Sequence, residues 1–465
     1  MSSELFDLLS ISRDLRKLKV IEAEPLSDQE LSRVREPRVR DILAGDYDGK
    51  RVRIRGWLQN TRSSGGIVFL HVRDGSGVVQ STVRKGSVPD KIFEEFRSAG
   101  IESAVDLEGT VKSDPRAPGG KEVQVESGHV PYPAREEFPI AKKFHGPEFL
   151  LDNRHLYIRS DKMRAILQVR AKFLSAARRW FDTHGYTEVQ VPTLITAAVE
   201  GGSTLFEVKY FEEKAYLTQS WQLYAEAMIA SVGPIYTVAP SFRAEKSRTR
   251  RHLTEYWHVE AEAPWKGLDD ILRLEEELLS YAVEELRKES GPELKLFERS
   301  GEDLAKVKPP FPRITYDKAL ELIGDKAGVK WGDDLGYEQE KLLTVHFDRP
   351  FFVTHYPKKA KAFYHKPDPK NPEVTLSADL LAPEGYGEIT GGGERIAEYD
   401  ALLQRIKEEG MDPKSYQWYL DIRKFGGVPH AGFGLGLERT VTWICKLDHI
   451  RDAIAFPRLI NRIYP

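Results

Sequence analysis

The sequence predicts an α+β chain of two domains, a small antiparallel β-barrel followed by a larger domain in which helices and strands interleave. Three observations carry this. The chain has 465 residues, 40% of them hydrophobic, more than one ordinary domain needs and enough for a core in each of two. From Arg51 to about Glu126, short alternating segments (RVRIRGWLQN, GIVFLHVRDGSGVVQSTV, SAVDLEGTVKS, KEVQVESGHV) are separated by Gly and Asp, the spacing of about five strands in a small barrel. Beyond Asn153, helical periods near 161–184, 219–231, 268–289 and 434–447 interleave with strand-like stretches.

Taken in order, residues 1–40 are charged with scattered leucines and read as short peripheral helices. Residues 41–130 form the barrel domain, residues 131–155, rich in proline and charge, a linker, and residues 156–465 one large domain whose sheet is flanked by helices. The net charge of -3 confines any nucleic-acid contact to local patches. The single cysteine, Cys445, excludes an internal disulfide and a cysteine zinc site and suits a reducing, cytoplasmic setting. No apolar run approaches the length of a membrane span, and the start, MSSELFDLLSISRDLRK, is too charged for a secretory signal.

Ser241–Glu262, SFRAEKSRTRRHLTEYWHVEAE, holds the densest chemistry. On a strand, Arg243 and Glu245 share one face, and from Glu255 the same period sets Tyr256, His258, Glu260 and Glu262 opposite Trp257, Val259 and Ala261. An antiparallel hairpin results. Between its arms lie Lys246, Arg248, Arg250, Arg251 and His252, a cationic loop suited to closing over a polyphosphate. A charge run alone usually faces water. Near the C-terminus, HAGFGLGLERTVTWICKL sets Gly432, Gly434 and Gly436 before Glu438, Arg439 and a helical pattern, allowing close backbone approach to a ligand.

Together the two segments resemble motifs 2 and 3 of the class II aminoacyl-tRNA synthetases. The wording FRAE…RHLTEY with GFGLGLER is similar to the aspartyl and asparaginyl branch, and the tail HIRDAIAFPRLINRIYP to its archaeal and eukaryotic form. Phe173–Leu194, FLSAARRWFDTHGYTEVQVPTL, resembles motif 1, with Pro192 in place of the dimer-interface proline. The resemblance runs from about Arg51 to Pro465 and implies a homodimer, a class II catalytic domain on an antiparallel sheet and an N-terminal five-stranded OB-fold that reads the anticodon.

The resemblance also implies ATP and Mg2+ as cofactors and assigns roles. Arg243 would grip the α-phosphate and the amino acid's carboxylate, Glu245 would face the adenine side, and Arg251 and His252 would attend the outer phosphates. Tyr256 and Arg439 would sandwich the adenine, and Asp379 and Glu388 would hold the metal. A serine that some relatives carry three residues after that glutamate is Gly391 here. In the barrel, Phe69 and Gln80 match the positions that stack on and read an anticodon base; Phe69 could equally be core. Arg51, Arg53, Arg55, Arg62 and Arg73 favour an RNA surface.

For the amino acid, Glu200, Gly201, Gly202 and Ser203 match the loop over the substrate amino group. Gln219, Ser220 and Gln222 line the pocket, and Arg395 meets the substrate's side chain. Glu226 takes the place of a lysine in aspartyl enzymes and would accept from an amide, which favours L-asparagine and tRNA(Asn) as partners. Trp221, Gly393 and Glu394 depart from the usual pattern. The alternatives are an aspartyl enzyme, including one that charges both tRNAs, a tRNA-free amide ligase, and a non-catalytic RNA-binding protein, which would have lost Arg243, Glu388 or Arg439.

Overall fold

The structure, a computed structural model, describes residues 35–196, 204–246, 249–324 and 328–465. The chain divides into two compact units, Met1–Lys143 and Phe144–Pro465.

The first unit is a closed barrel of β1 (Arg51–Ser64), β2 (Ile67–Arg73), β3 (Val78–Arg84), β4 (Ala104–Ser113) and β5 (Lys121–Tyr132), in the order β1-β2-β3-β5-β4. Alternation decides its inside: Val68, Leu70 and Val72 are buried while Ile67, Phe69 and His71 face outward. Gly65 and Gly66, both at positive φ, make the two-residue turn between β1 and β2 that side-chain-bearing residues adopt with strain. Two helices, α1 (Val39–Ala44) and α2 (Asp90–Ser98), close the barrel, α2 laying Phe93 and Phe96 onto its core.

The second unit is built on eight strands: β6 (Thr187–Glu188), β7 (Ile235–Phe242), β8 (Glu255–Pro264), β9 (Arg313–Thr315), β10 (Phe351–Thr354), β11 (Ser377–Ala382), β12 (Gly387–Glu394) and β13 (His430–Gly436). Their order across the sheet is β9-β10-β11-β12-β13-β8-β7-β6. The six central strands pair antiparallel, as expected, and only the edge pairs β9–β10 and β6–β7 are parallel. Helices α3 (Asp161–Thr183), α4 (Gln222–Val232), α5 (Leu268–Glu289), α6 (Tyr337–Thr344), α7 (Gln417–Lys424) and α8 (Leu437–Ile444) surround it. α3 starts where the Ser160 hydroxyl accepts from the Met163 amide. The apolar stripes of α3, α5 and α8 meet Val259, Ala261, Leu380 and Leu435 in the main core, leaving the other sheet face to polar residues.

Two expectations change. β7 ends at Phe242, so Arg243 and Glu245 do not share a strand face: the Arg243 amide still donates to Thr254 O at 3.0 Å, but the Ala244 amide turns away to Thr204 O at 2.7 Å, and Glu245 is exposed. The glycines read as an approach to a helix instead belong to the central strand β13, with α8 starting only at Leu437. Among the described residues no helix is long and apolar enough to cross a membrane.

Candidate active site

Strand register creates the site. Asp379 on β11, Gly391 on β12, Gly434 on β13 and Glu260 on β8 are successive partners, and Ser377, Gly393, Gly432 and Glu262 form the next row on the same face. Each row is a bare glycine floor between polar walls. A Cβ at Gly432 would lie 2.0 Å from Glu262 Oε2 and 2.4 Å from Ala261 O, so glycine is what lets the Glu262 carboxylate lie against β13. The resulting cavity, about 440 Å³, is also lined by Ser220, Gln222, Arg243, Lys361, Tyr364, His365, Glu388 and Arg395. The β11–β12 register slips between Leu380 and Leu381; at this bulge Ile389 joins the core and Glu388 turns to the cavity.

Asp379 and Glu388 converge on Gly391, whose Cβ position would lie 3.2 Å from Asp379 Oδ1 and 3.6 Å from Glu388 Oε1. Lys361 Nζ donates to both Asp379 oxygens at 2.8 and 2.7 Å. Burial pushes the Asp379 carboxyl up to about 7, with Lys361 opposing and Glu388 adding to the rise. Glu388, its side chain 31% exposed, is raised by partial desolvation, but Arg439, 2.7 Å away, outweighs this with help from Arg251 and Lys361 and holds it at about 2. Two converging carboxylates suit a hard divalent cation that takes its other oxygens from phosphate and water. Among the described residues no cluster of three His, Cys, Asp or Glu side chains is placed to hold a metal unaided, so substrate oxygens would have to complete the shell.

Next to the cavity, and sharing Arg243, His258, Glu388 and Gly434 with it, lies a pocket walled by Arg251, His252, Tyr256, Gly436 and Arg439. Arg251 donates to Glu388 O at 2.7 Å and pairs with Glu340. The Arg243 guanidinium stands 6.0 Å from the centre of the Tyr256 ring, which meets the His258 ring edge-on at 4.9 Å. Burial, then the nearby arginines, push His252 down to about 4 and His258 to about 3. Both are neutral near pH 7, and the arginines carry the positive charge.

A flat aromatic and several guanidiniums opening onto a carboxylate-walled cavity offer chemistry complementary to a nucleotide beside a small zwitterion. Residues 146–460 match the tRNA synthetases class II (D, K and N), and residues 52–130 the OB-fold nucleic acid binding domain. The chain is 54% identical over 427 residues to the asparagine--tRNA ligase of Pyrococcus abyssi, covering 90% of this chain and 97% of that protein. This chain belongs to the class II tRNA synthetases (D, K and N). The synthetase is also 48% identical to the asparagine--tRNA ligase of Thermoplasma acidophilum, over 92% of this chain and 99% of that one. Among solved structures it superimposes on the asparaginyl-tRNA synthetase of Pyrococcus horikoshii complexed with asparaginyl-adenylate, with a TM-score of 0.89 and 51% identity, covering 93% of this chain and all of that one.

In the synthetase, Arg243, Arg251, His252, Tyr256, Glu388 and Arg439 come together in the pocket, and Gln222, Arg395, Asp379 and Glu388 in the cavity. Arg395 pairs with Glu262 through two bonds at 3.2 and 3.1 Å and lies 5.3 Å from the Tyr364 ring centre. Glu245 stands apart, on a groove shared with Arg243, Thr249 and His252. Gln219 is buried and donates to Thr204 Oγ1 at 2.7 Å. Glu226 is not among the residues lining the cavity: its side chain has no exposed surface, receives Gln222 Nε2 at 3.0 Å and Tyr419 OH at 2.6 Å, pairs with Arg423 and lies 2.9 Å from His430 Nε2. Burial would raise its pKa, but Arg423 and His430 hold it well below the usual carboxylate range. Glu200 and Ser203 lie outside the described residues, as does Arg248. Trp221 is 2% exposed, packs against Val189, Ala225 and Ile229 and still reaches the cavity wall. Sequence reasoning missed the wall roles of Glu260 and Glu262, although their alternation with His258 was visible, and missed Lys361, Tyr364 and His365, for which YPKKAKAFYHK carries no pattern.

On the barrel, Phe69 and Gln80 lie on the outer face, so Phe69 is not core. The Arg62 guanidinium sits 4.9 Å from the Phe69 ring centre, and Gln80 Nε2 donates to Glu122 at 3.2 Å. The other arginines have acidic partners: Arg51 with Glu108, Arg53 and Arg55 with Asp106, and Arg73 with Glu102 in a pair only 8% exposed on each side. Arg51 and Arg55 stay 52% and 56% exposed while paired, whereas Arg73 is withdrawn from the surface. Pro192 is exposed on the large unit.

Proposed function

We infer that this synthetase activates L-asparagine with ATP and transfers it to tRNA(Asn), releasing AMP and diphosphate. The observation that carries the reading is the joined pair of sites, a pocket of guanidiniums and an aromatic opening onto a carboxylate-walled cavity, in a chain so similar to asparagine--tRNA ligases. In the first step an oxygen of the amino acid's carboxylate attacks the α-phosphorus and the bond to the β-phosphate breaks, expelling diphosphate. Catalysis here is positioning and charge neutralisation. Arg243, which borders both sites, is placed to hold the α-phosphate and the attacking carboxylate together, while Arg251 and Arg439 neutralise the outer phosphates and Tyr256 and Arg439 flank the base. Mg2+, which supplies positive charge to phosphate oxygens when bound, would enter where Glu388 and Asp379 converge above Gly391. In the second step a terminal ribose hydroxyl of the tRNA attacks the activated carbonyl and AMP leaves.

For the amino acid, Glu260 and Glu262 offer acceptors to an α-ammonium, and Arg395 a donor to a side-chain carbonyl. Most carboxylates of the cavity wall are already paired: Glu262 with Arg395, Asp379 with Lys361, Glu388 with Arg439, Glu340 with Arg251 and Glu409 with Arg405. Arg395, already committed to Glu262, can donate to a side-chain carbonyl but has no unspent charge for a second substrate carboxylate, which favours a neutral amide. Glu226 acts on this choice from behind the wall, through Gln222. Phe69 and Gln80 stack on and read an anticodon base, and two chains pair through the region of Pro192. Pyrophosphate exchange into ATP, run with asparagine and aspartate side by side, tests the reading. Exchange with asparagine exceeding that with aspartate is expected, and the reverse order would overturn the assignment.

A further inference from the structure

Asp379 does not face the cavity as a bare carboxylate. Lys361 donates to both of its oxygens, at 2.8 and 2.7 Å, and the same ammonium lies 3.9 Å from the centre of the Tyr356 ring, itself 1% exposed. The side chains of the pair are only 15% and 10% exposed. An ammonium is a compact point charge with three protons, and here two are committed to one carboxylate while an aromatic face covers the cation. Glu388 is arranged differently: Oε2 takes Arg439 at 2.7 Å, and Oε1 faces the open space above Gly391. With glycine at 391, no side-chain oxygen stands between the two carboxylates to help bind a cation.

We propose that Lys361 takes the place of a second divalent cation: its ammonium is the resident counter-ion of Asp379, and the magnesium that travels with ATP is held on the protein side by Glu388. This rests on reading the cavity as an ATP site and narrows its metal chemistry to one protein carboxylate. A metal bound at Asp379 would have to displace an ammonium from a buried two-point pair, which the favourable contact with Tyr356 opposes. Lys361 thereby acts as a positioning residue, keeping Asp379 neutralised whether or not nucleotide is present.

Mn2+ counts the sites, because carboxylate oxygens accept it as they do Mg2+ and electron paramagnetic resonance reads its free fraction without any turnover. In the nucleotide-free full chain, wild type and Lys361→Arg should bind Mn2+ weakly. Lys361→Met should gain one site per chain, about tenfold or more tighter, and lose it again when combined with Asp379→Asn. With a non-hydrolysable ATP analogue present, Asp379→Asn should leave the Mn2+ count of the otherwise native chain unchanged, and Glu388→Gln should lower it. A lower count in Asp379→Asn, or a folded Lys361→Met that gains no site, overturns the proposal. If Lys361→Met fails to fold, the Asp379→Asn comparison decides alone. Failure of the chain to bind the analogue would instead sink the ATP reading, leaving the nucleotide-free comparison to judge Lys361.

Discussion

Glu226 has neighbours on every side: Gln222, Tyr419, Arg423 and His430 all reach its two oxygens. Removing one partner of a fully buried pair leaves the other charge without compensation, at about 3–5 kcal/mol. Glu226→Ala should therefore lower stability by roughly that amount in denaturant unfolding, a larger loss than Glu226→Gln, which keeps shape and acceptor. The partly buried His258 sets a pH dependence. His258 is held at about 3 in the fold against an ordinary 6.5; the unfolded chain then binds the proton better, so stability is full above the unfolded value and falls as pH drops below it. The slope is about 1.4 kcal/mol per pH unit for such a group. The melting temperature should fall from pH 7 to pH 5, and less steeply in His258→Gln. That a glutamate stands at 226 and a histidine at 258 is plain from the sequence; that one is buried among four partners and the other kept neutral depends on residues up to about two hundred positions away.

Among the elements, β8, β12 and β13 show how a floor is made. Alternate glycines on β13 oppose His258, Glu260 and Glu262 on β8, which keeps the carboxylates close to the backbone and the face open. The positions are not equivalent. A methyl at Gly432 collides with backbone at 2.4 Å, whereas at Gly434 the nearest atom is 3.5 Å away, on the Glu260 side chain. Gly432→Ala should thus cost about 1–3 kcal/mol of stability through overpacking and abolish amino-acid activation, while Gly434→Ala should melt like the native chain and lose only binding; equal melting of the two would count against this account. The alternation of these glycines was legible as a pattern and misplaced as an approach to a helix, because glycine's period says nothing about what lies beside it. The bulge that turns Glu388 inward is a property of pairing between β11 and β12 and leaves no local mark.

For the whole molecule, the barrel and the sheet-based unit each have their own core and divide the labour. Phe69 stands on the outer face of the barrel beside Arg62. Losing one stacked base is worth about 1–3 kcal/mol, so Phe69→Ala should weaken tRNA charging by a corresponding factor in KM for tRNA while asparagine-dependent pyrophosphate exchange is unchanged. Equal loss in both assays would mean that the ring only supports the barrel.

By itself the sequence determined the α+β class, the barrel's strands, the long helices to within a few residues and the cationic segment with its aromatic, because alternation, helical period and charge density are written within a dozen neighbouring positions. Only the tertiary structure decided that Glu260 and Glu262 wall the cavity, that Lys361 holds Asp379, that Glu226 sits behind the wall and that four barrel arginines have acidic partners. Each of these follows from register between strands or contact between elements far apart in the chain, where the physical constraint is packing and charge compensation.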